Sequence, residues 1–489
     1  MIQVVQTLTI LQSFLMEHLL VLNFILAIVI VFFQRKEPKA VWAWIIILYA
    51  LPIIGFFFYL LVGTDTRKRK IFKTKEITDR FQEAIKGQEL VIQSKEIELT
   101  NPNMREYSDL VYYNLESSSA IFSADNSVEH IVDGREKFHR LMEDVKNAKD
   151  YIHMEYYIIK DDVLFREIEK ILIQKAQEGV EVRILFDAMG SQTMTNRYRK
   201  RLHQNGIQTA VFFKAVLGKL HLRMNYRNHR KIVVIDGEIG YVGGFNIGKE
   251  YVSLDQKIGY WRDTHIRIEG TVVLELGIRF ILDWNYANHE DLFQVPKYTV
   301  LPTRTFGASE LQVISSGPDS TLKNIRNNYL RLIAKAKEDI YIQTPYFIPD
   351  EEILSALIIA LHSGVRVHLM IPCKPDHPFV YWATYSYVGE LVLNGANCYT
   401  YENGFLHAKG MIVDSKVYCY GTANMDIRSF QLNFEVNVVN YTREDALHMT
   451  QLFQTDIANC KRITKEDYRK RGLIVRFKEQ FCRLFSPLL

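Results

Sequence analysis

The sequence predicts a mixed α/β protein in which two similar sheet-and-helix domains follow a pair of membrane-spanning helices. Three observations lead to this fold class. The chain of 489 residues is 48% hydrophobic, with a formal net charge of only +4. Its amino-terminal part contains two long apolar runs, and the remainder contains the same series of segments twice. The length is sufficient for two or three domains with full-sized cores.

Two apolar runs near the amino terminus predict a transmembrane hairpin over residues 1 to 66. The runs extend from Phe14 to Phe33 and from Val41 to Val62, and about 20 apolar residues in a helix cross a bilayer. A cleaved signal peptide is the alternative for the first run. No Lys or Arg precedes that run and a second run follows at once, so we expect an anchor.

The charges beside the two runs predict their orientation. The short connection carries three cations, whereas the segment after the second run carries six. Because the more basic segment stays in the cytoplasm, residues 34 to 40 should face outwards and both termini inwards. Residues 67 to 108 are charged and lack a long apolar face, which predicts a connector near the membrane surface.

The rest of the chain repeats three segments in the same order. An amphipathic helix runs into a strand over residues 137 to 159 and again over 324 to 348. A helix then ends at glycine before a buried strand, over residues 176 to 187 and 361 to 372. A motif beginning with His-x-Lys closes each series. This repetition predicts a duplicated α/β domain with a pseudo-twofold axis. The predicted domains span residues 109 to 300 and 301 to 489.

The repeated motif presents a histidine and a lysine on one side of a strand. His229 and Lys231 precede an apolar run in the first copy, and His407 and Lys409 do so in the second. Residues two apart face the same side of a strand, so each copy presents an imidazole and an ammonium together. The sequence has no other His-x-Lys triplet, and two matched copies are not credible as an accident.

An aspartate follows each histidine by seven positions and would point to the opposite side of the strand. We therefore assign Asp236 and Asp414 to the turn of a tight hairpin, which the pair Asp236-Gly237 favours. Each hairpin returns the chain to an asparagine, Asn246 or Asn424. The amide of each asparagine can then donate near the histidine and the lysine.

Two facing copies of the motif would supply two imidazoles, two ammonium groups and two amides to one site, which suits a phosphodiester. One imidazole can attack phosphorus while the other, protonated, gives its proton to the leaving alcohol. Each histidine also needs an acceptor on its other ring nitrogen. Asp263 follows His229, and Glu435 follows His407, on strand-like segments. These two are the candidates, with a surface carboxylate as the alternative.

The duplicated motif resembles the signature HxKxxxxDxxxxxxGSxN of the phospholipase D superfamily. Gly244 and Thr422 stand where that signature has serine, so the first copy lacks a hydroxyl that could touch phosphate. The resemblance implies two fused phospholipase D-like domains. The residues that match the catalytic motif are His229, Lys231, Asp236, His407, Lys409 and Asp414, with Asn246 and Asn424 binding substrate phosphate.

Within that superfamily the chain is similar to bacterial cardiolipin synthases over essentially its whole length. The similarity rests on the paired apolar runs, on the stretches NHRKIVVIDG, WRDTHIRIEG and QTPYFIPD, and on the ending FSPLL. It implies that two phosphatidylglycerol molecules give cardiolipin and glycerol through a phosphatidyl-histidine, with His229 as nucleophile and no metal or other cofactor. The near-symmetry of the halves leaves the opposite assignment, to His407, open.

The same resemblance implies a multi-pass protein of the bacterial cytoplasmic membrane with its catalytic domains facing the cytoplasm. The expected partners are phosphatidylglycerol and anionic membrane lipid. A nuclease would have no use for a membrane hairpin, and the small net charge does not favour nucleic acid. A phospholipid hydrolase or a phosphatidylserine synthase stays open, because water or serine could replace the acceptor at a similar site.

Other classes of function and site fit the sequence poorly. A membrane scaffold without activity would not need two intact His-Lys pairs. A metal-dependent hydrolase is not favoured, since no HExxH or clustered His/Asp pattern occurs. The five cysteines are odd in number and contain no CxxC pair, which suggests neither a disulfide framework nor a zinc site and suits a reducing compartment.

Residues 472 to 489 predict a basic amphipathic helix. Its apolar face should end near Pro487, which cannot continue a helix. Amphipathicity alone is compatible with packing on the second domain or with an anionic membrane surface. The predicted apolar face consists of Phe477, Phe481, Leu484, Phe485 and Leu488, and the nearby cations are Arg476, Lys478 and Arg483.

Overall fold

The structure is a computed structural model in which the chain forms two compact units. The first covers Met1–Ile71 with Ala215–Asn225, and the second covers Phe72–Lys214 with Tyr226–Leu489. The residues that the structure describes are 18–32, 38–59, 102–213, 226–302, 304–320, 322–374 and 376–486.

The described part of the amino-terminal unit is helical. Residues 18–32 are helical, and helices Pro38–Ala50 and Pro52–Phe58 follow. The second predicted span is thus two helices where one was expected, because Pro52 lacks an N–H and starts a new helix after Leu51. Among the described residues, no helix combines the length and apolarity that a membrane span requires. Residues 14–17 and 33 of the first predicted run, residues 60–62 of the second, residues 34–37 between them and residues 67–101 of the predicted connector lie outside the described residues.

A buried asparagine ties these helices together. Asn23 donates through Nδ2 to the carbonyl oxygens of Leu48 and Pro52, at 3.0 Å each. Ile30, Leu48 and Tyr59 pack into a small core. One amide therefore satisfies the carbonyl oxygen of Leu48 near the helix break, which would otherwise lack a donor.

The first half of the second unit contains a mixed sheet of seven strands within the described residues. Their order across the sheet is β4-β3-β2-β5-β6-β7-β1. The strands are β1 (Ser123–Asp133), β2 (Tyr151–Tyr156), β3 (Glu181–Asp187), β4 (Ile207–Phe212), β5 (Ile232–Ile235), β6 (Ile239–Gly243) and β7 (Trp261–Glu269). The helices of this half are Gly134–Asn147, Val163–Gln177, Asn196–Gln204 and Val273–Asn288, with short 3₁₀ turns at Lys249–Val252, Leu292–Gln294 and Pro296–Thr299.

The second half repeats this sheet with the equivalent order β11-β10-β9-β12-β13-β14-β8. The strands are β8 (Ser309–Ser316), β9 (Asp339–Gln343), β10 (Arg366–Pro372), β11 (Asn397–Tyr401), β12 (Gly410–Val413), β13 (Val417–Gly421) and β14 (Asn433–Asn440). The helices are Asn324–Lys335, Glu351–His362, Pro378–Leu393, Ile427–Gln431 and Arg443–Ile457, and a small two-stranded sheet pairs Phe347–Ile348 with Met425–Asp426.

The repeated segments that the sequence predicts form the same elements in both halves. Helix Gly134–Asn147 runs into β2, and helix Asn324–Lys335 runs into β9. Asp133 caps the first of these helices by accepting from the backbone N–H groups of Arg135 and Glu136. The duplicated α/β fold is therefore confirmed.

The two sheets meet along their edge strands. β1 pairs antiparallel with β8, with Ser123 opposite Leu311. Two short strands also cross between the halves, because Arg227–Asn228 pairs with β14 and Phe405–Leu406 pairs with β7, both in parallel. Each short strand lies directly before a motif histidine, so the start of each motif is held by the opposite half.

Helix Pro102–Ser118 crosses the predicted boundary between the connector and the first domain. Tyr107 and Leu110 lie in the hydrophobic core of the second half, together with Tyr329. The apolar side chains spaced three apart on this helix continue across residue 108, which explains why the helix packs as one piece.

The carboxyl end adds an edge strand and two helices to the second half. Strand Cys460–Ile463 pairs antiparallel with β11, and helix Lys465–Arg469 follows it. The predicted basic helix forms over Leu473–Leu484 and ends before Pro487. It contacts helix Pro378–Leu393, and residues 487–489 lie outside the described residues.

Candidate active site

The exchange of short strands brings the two motif histidines beside the opposite halves. The backbone N–H of His229 donates to the carbonyl oxygen of Phe434 at 3.0 Å, and that of His407 donates to the carbonyl oxygen of Arg262 at 2.6 Å. Both imidazoles are buried. Each histidine is therefore positioned by β14 or β7, the strand that carries a predicted acceptor of the other half.

The two acceptors are exchanged between the halves. Nδ1 of His229 lies 2.9 and 3.0 Å from the two carboxylate oxygens of Glu435, and Nδ1 of His407 lies 2.6 Å from Oδ2 of Asp263. Both carboxylates are fully buried. The order along the sequence placed each acceptor after its own motif, whereas the structure pairs each histidine with the acceptor from the other half. The parallel pairing of the short strands is the physical cause.

Both motif lysines are buried and bond back to their own histidines. Nζ of Lys231 donates to the carbonyl oxygen of His229 at 2.5 Å. Nζ of Lys409 donates to the carbonyl oxygen of His407, and it also lies 2.7 Å from Nδ1 of that ring and 3.8 Å from Oδ2 of Asp263. In both halves the lysine therefore contacts its own histidine, in the segment directly before β5 or β12.

Burial changes the protonation of the two ammonium groups. Loss of water around Lys231 lowers its pKa to about 7, although Glu435 opposes the shift. The same effect lowers the pKa of Lys409 to about 8, opposed first by Asp263. Both lysines therefore titrate near neutral pH, where a bound anion would favour their charged forms.

In each histidine–acceptor pair, the pKa shifts favour a neutral imidazole beside a charged carboxylate. Burial lowers the pKa of His229, with Glu435 opposing, and burial together with Lys409 lowers the pKa of His407 to about 4. Burial alone would raise the pKa of both carboxyl groups. For Glu435 the combined effects of His229, Lys231 and Thr422 outweigh burial and lower the pKa, and for Asp263 those of Lys409, His407 and the backbone N–H of Thr264 do so. At neutral pH these directions give carboxylates beside neutral imidazoles. A carboxylate only accepts, which leaves Nε2 of each ring for a substrate.

The predicted phosphate-binding asparagines are partly engaged with the protein. Asn246 accepts from the N–H of Ile158 and donates to the hydroxyl of Tyr251, both at 3.1 Å. Asn424 donates to Asp426, a buried carboxyl whose pKa burial raises to about 6. An amide has two N–H groups, so one remains on each asparagine. The motif predicted only hydrogen-bond donors at this site, and the carboxyl group of Asp426 beside Asn424 was not predicted.

The two motif aspartates serve backbone hydrogen bonds in the structure. The carboxylate of Asp236 accepts from the N–H groups of Lys149, Asp150 and Tyr151 at 2.7 to 2.9 Å. Asp236 has a φ of 54°, as a tight hairpin turn requires. Although the two aspartates belong to the catalytic motif, they therefore make structural contacts, and they point in the direction that strand parity predicts. Asp414 repeats the arrangement with Lys337, Glu338 and Asp339.

The position that carries serine in the superfamily signature differs between the halves. The hydroxyl of Thr422 donates to Oε2 of Glu435 at 2.6 Å. A Cβ added to Gly244 would lie 2.0 Å from Oδ1 of Asp263. Both residues therefore face an acceptor carboxylate.

Several residues around the site were not predicted from the sequence. The ring of Tyr157 lies edge-on to His229 with centroids 5.1 Å apart, and the ring of Trp261 lies 4.9 Å from His407. Trp261 precedes Asp263 by two positions in a strand, so parity could have placed it on the same side. Asn228, directly before His229, donates to Glu155 at 2.6 Å. Among the described residues, no cluster of three or more His, Cys, Asp or Glu side chains could hold a metal.

Comparison with known families agrees with this architecture. The family model described as "Cardiolipin synthase, PLD-like domain" matches residues 141–265 and 329–457, one match in each half. A second model, described as "Phospholipase_D-nuclease N-terminal", matches residues 21–63.

Similar proteins were found among curated sequences and solved structures. The Major cardiolipin synthase ClsA of Bacillus subtilis is 45% identical over 98% of this chain and 99% of its own. A cardiolipin synthase of Oceanobacillus iheyensis is likewise 45% identical, with the same coverage. A phosphatidylserine synthase structure from Haemophilus influenzae shares the fold at a TM-score of 0.60 and 16% identity, over 80% of this chain and 100% of that one. The chain belongs to the cardiolipin synthase family, whose catalytic domains are phospholipase D-like.

Proposed function

We propose that the chain transfers a phosphatidyl group from one phosphatidylglycerol to a second one, giving cardiolipin and glycerol, with His229 and His407 as the reacting groups. The observation that carries the proposal is the pairing of each Nδ1 with a buried carboxylate of the opposite half. Two imidazoles then present Nε2 to one phosphodiester. Membership of the family supports the choice of lipid.

In the first step, Nε2 of His229 attacks the phosphorus of the first phosphatidylglycerol. The bond between phosphorus and the headgroup glycerol oxygen breaks, and His407 donates a proton to that oxygen, so glycerol leaves. The phosphatidyl group remains on His229. Because the bound phosphodiester is an anion, it favours the imidazolium of His407 and raises its pKa in the complex.

In the second step, the headgroup hydroxyl of another phosphatidylglycerol attacks the same phosphorus. His407, now neutral, takes the proton of that hydroxyl as the new phosphorus-oxygen bond forms. The bond to His229 breaks, cardiolipin leaves, and both histidines regain their initial states. The duplication of the motif supplies the two distinct roles that each step needs.

The remaining motif residues bind and position. Lys231, Lys409, Asn246 and Asn424 provide donors for the phosphate oxygens, which gain negative charge as the attack proceeds. Asp263 and Glu435 are positioning residues, because they act through the histidines. The near-symmetry of the contacts supports either histidine as nucleophile. The two-oxygen contact of Glu435 with His229 favours His229, since the imidazolium of the intermediate is held by both oxygens.

The membrane arrangement of the chain is part of the same proposal. Residues 1–66 form a transmembrane hairpin of a multi-pass protein, residues 67–108 form a connector, and residues 109–300 and 301–489 form the two domains on the cytoplasmic side. The apolar runs and the amino-terminal family match support the hairpin. Reporter tags placed before residue 14, between the runs and at the carboxyl end, in spheroplasts, should show only the middle tag exposed.

Product analysis tests the chemistry. Phosphatidylglycerol labelled in its headgroup and in its acyl chains is incubated with the reconstituted chain, and the products are separated by thin-layer chromatography. We expect cardiolipin and free glycerol in equal amounts, and this yield should persist in excess chelator, since the proposed steps use no metal. Phosphatidic acid as the main product would assign a hydrolase. Phosphatidylserine, formed only with added serine, would assign the synthase of that lipid.

A further inference from the structure

The carboxyl-terminal helix Leu473–Leu484 exposes most of its large apolar side chains. Leu473 is 82% exposed, Phe477 69% and Leu484 77%. On a helix these positions fall within one stripe about 120° wide. We call the stripe the C-terminal apolar face. Its members are Leu473, Ile474, Phe477, Phe481, Leu484 and the adjoining Phe485, all of which are exposed.

The helix is attached to the domain through its opposite edge. Glu479 is buried and pairs with Arg471 at 2.8 Å, and Cys482 is buried beside helix Pro378–Leu393. Arg483 pairs with Glu390 of that helix at 2.8 Å. These contacts fix the rotation of the helix about its axis. The C-terminal apolar face therefore points to solvent and is not part of the hydrophobic core.

Cations border the C-terminal apolar face. Arg476 and Arg483 lie along one side of the stripe and Lys478 along the other, by their positions on the helix. Arg476 donates to the carbonyl oxygen of Arg469. This contact brings a further cation, Arg469, close to the start of the helix. An exposed apolar stripe between cations fits a surface of anionic lipid headgroups over acyl chains better than it fits a neutral protein surface.

The C-terminal apolar face continues onto the start of helix Pro378–Leu393. The ring of Phe485 lies 6.4 Å from that of Phe379, which is itself exposed near the start of helix Pro378–Leu393. Asp376 precedes this helix and is bonded by the hydroxyl of Tyr346. Burial lowers the pKa of Lys409, and Asp376 is one of the carboxylates near enough to oppose that shift. The apolar surface thus extends from the carboxyl-terminal helix to the start of helix Pro378–Leu393, beside a pocket that Tyr346 and Asp376 line and that we take as the entrance to the active site.

We propose that the C-terminal apolar face docks on an anionic lipid bilayer and seats the entrance beside helix Pro378–Leu393 at the membrane surface. The inference rests on the proposed function in one respect, since the docked face would supply the route by which a lipid headgroup reaches the histidines. It assigns the face to a bilayer and not to a second copy of the chain.

A fluorescent probe of depth tests the docking directly. The full chain, with Cys373 and Cys460 replaced by serine, carries an environment-sensitive fluorophore at Phe477→Cys in vesicles of phosphatidylglycerol and phosphatidylcholine. The matched control carries the fluorophore at Leu447→Cys, another exposed apolar position on helix Arg443–Ile457. We expect a blue shift, and quenching by lipids brominated in their chains, only at position 477. Equal quenching by aqueous iodide at both positions would overturn the proposal. So would protection at 477 that rises with protein concentration without lipid, which would assign the face to a second copy.

Kinetics separate docking from folding. The double variant Phe477→Ser/Leu484→Ser should lose several-fold activity on phosphatidylglycerol embedded in vesicles but keep its activity on dispersed short-chain phosphatidylglycerol. The control Ile359→Ser, at another exposed apolar site, should keep both. Arg476→Gln and Lys478→Gln should each raise the lipid concentration needed for half-maximal rate about five-fold at low salt, and less at high salt. Equal losses of the double variant on both substrates would overturn the docking role. If the unaltered chain makes no cardiolipin from either substrate, the proposed function fails, while the depth probe still decides the docking.

Discussion

Thr422 donates a hydrogen bond to the same carboxylate, Glu435, that holds His229. The equivalent position in the other half is Gly244, where an added Cβ would lie 2.0 Å from the carboxylate of Asp263. The two halves therefore hold their acceptors differently. In one half the longer side chain of Glu435 accepts from the hydroxyl of Thr422. In the other half the shorter side chain of Asp263 lies against a glycine, which has no side chain.

Gly244→Ser should therefore reduce activity, although it restores the serine of the superfamily signature. The new side chain overlaps the carboxylate of Asp263 and would displace it from His407. A misplacement of about 1 Å costs on the order of 10²-fold in rate, measurable as kcat/KM for labelled phosphatidylglycerol. Thr422→Ser is the matched control and should stay within a few-fold of the unaltered chain, since it keeps the hydroxyl. Full activity of Gly244→Ser would refute the steric argument.

Thr422→Val should weaken the holding of Glu435 without changing the volume of the side chain appreciably. A hydrogen bond to a charged group contributes about 1.5–3 kcal/mol. We expect a lower midpoint of thermal unfolding together with lower kcat, because the buried carboxylate loses one of its donors while Asn433 still donates to it at 3.2 Å. An unchanged unfolding midpoint would show that water replaces the hydroxyl.

The covalent intermediate should form on His229. His229→Ala and His407→Ala should each abolish turnover, since each removes one of the two roles. In the unaltered chain, rapid quenching after mixing with phosphorus-labelled phosphatidylglycerol, followed by peptide mapping, should find the label in the peptide that contains His229. Label on the peptide that contains His407 would reverse the assignment of nucleophile and acid.

Asp236→Asn should affect stability more than chemistry. Its carboxylate accepts three backbone N–H groups, and the amide oxygen that replaces it is a weaker acceptor with fewer lone pairs. We expect a loss of about 1–3 kcal/mol in the free energy of unfolding, with kcat per folded molecule nearly unchanged. Asp414→Asn should behave alike. A well-folded variant that binds lipid but performs no chemical step would contradict this assignment.

The sequence was sufficient for the duplicated fold because each repeated segment has its own periodicity. A helix with a 3.6-residue apolar period and a strand of continuous apolar residues appear twice in the same order, and the structure forms them at those places. Strand parity also gave the direction of the motif aspartates. Both inferences depend on neighbouring residues only, which is why the chain alone supports them.

The exchange of short strands between the halves could not be predicted from the sequence, and this limited the prediction of the site. The pairing of His229 with Glu435 depends on short strands that cross between the halves, and no local pattern encodes which half accepts a strand. The continuation of helix Pro102–Ser118 across residue 108 was not predicted for a related reason, because the ring of Tyr107 lies 6.4 Å from that of Tyr441, far along the sequence. Likewise, the outward rotation of the carboxyl-terminal helix depends on the contact of Arg483 with Glu390, which lies far along the sequence, and the helix alone could not indicate it.

The pH profile of kcat/KM should fall on the alkaline side near pH 7 to 8. Burial lowers the pKa of Lys231 to about 7 and that of Lys409 to about 8 in the free chain. A lysine is charged below its pKa, so both ammonium groups are present at acidic pH and are lost as the pH rises through these values. Since kcat/KM reports the groups of the free enzyme, the loss of charge weakens capture of the anionic lipid. The pKa of His407 is about 4 in the free chain, so a limb from the loss of its proton lies at lower pH than this one. Lys231→Arg keeps its charge throughout, so the alkaline fall of its residual activity should move from near pH 7 to near pH 8, where Lys409 loses its charge. A profile of the unaltered chain that stays flat up to pH 9 would disprove the link between burial and lysine charge.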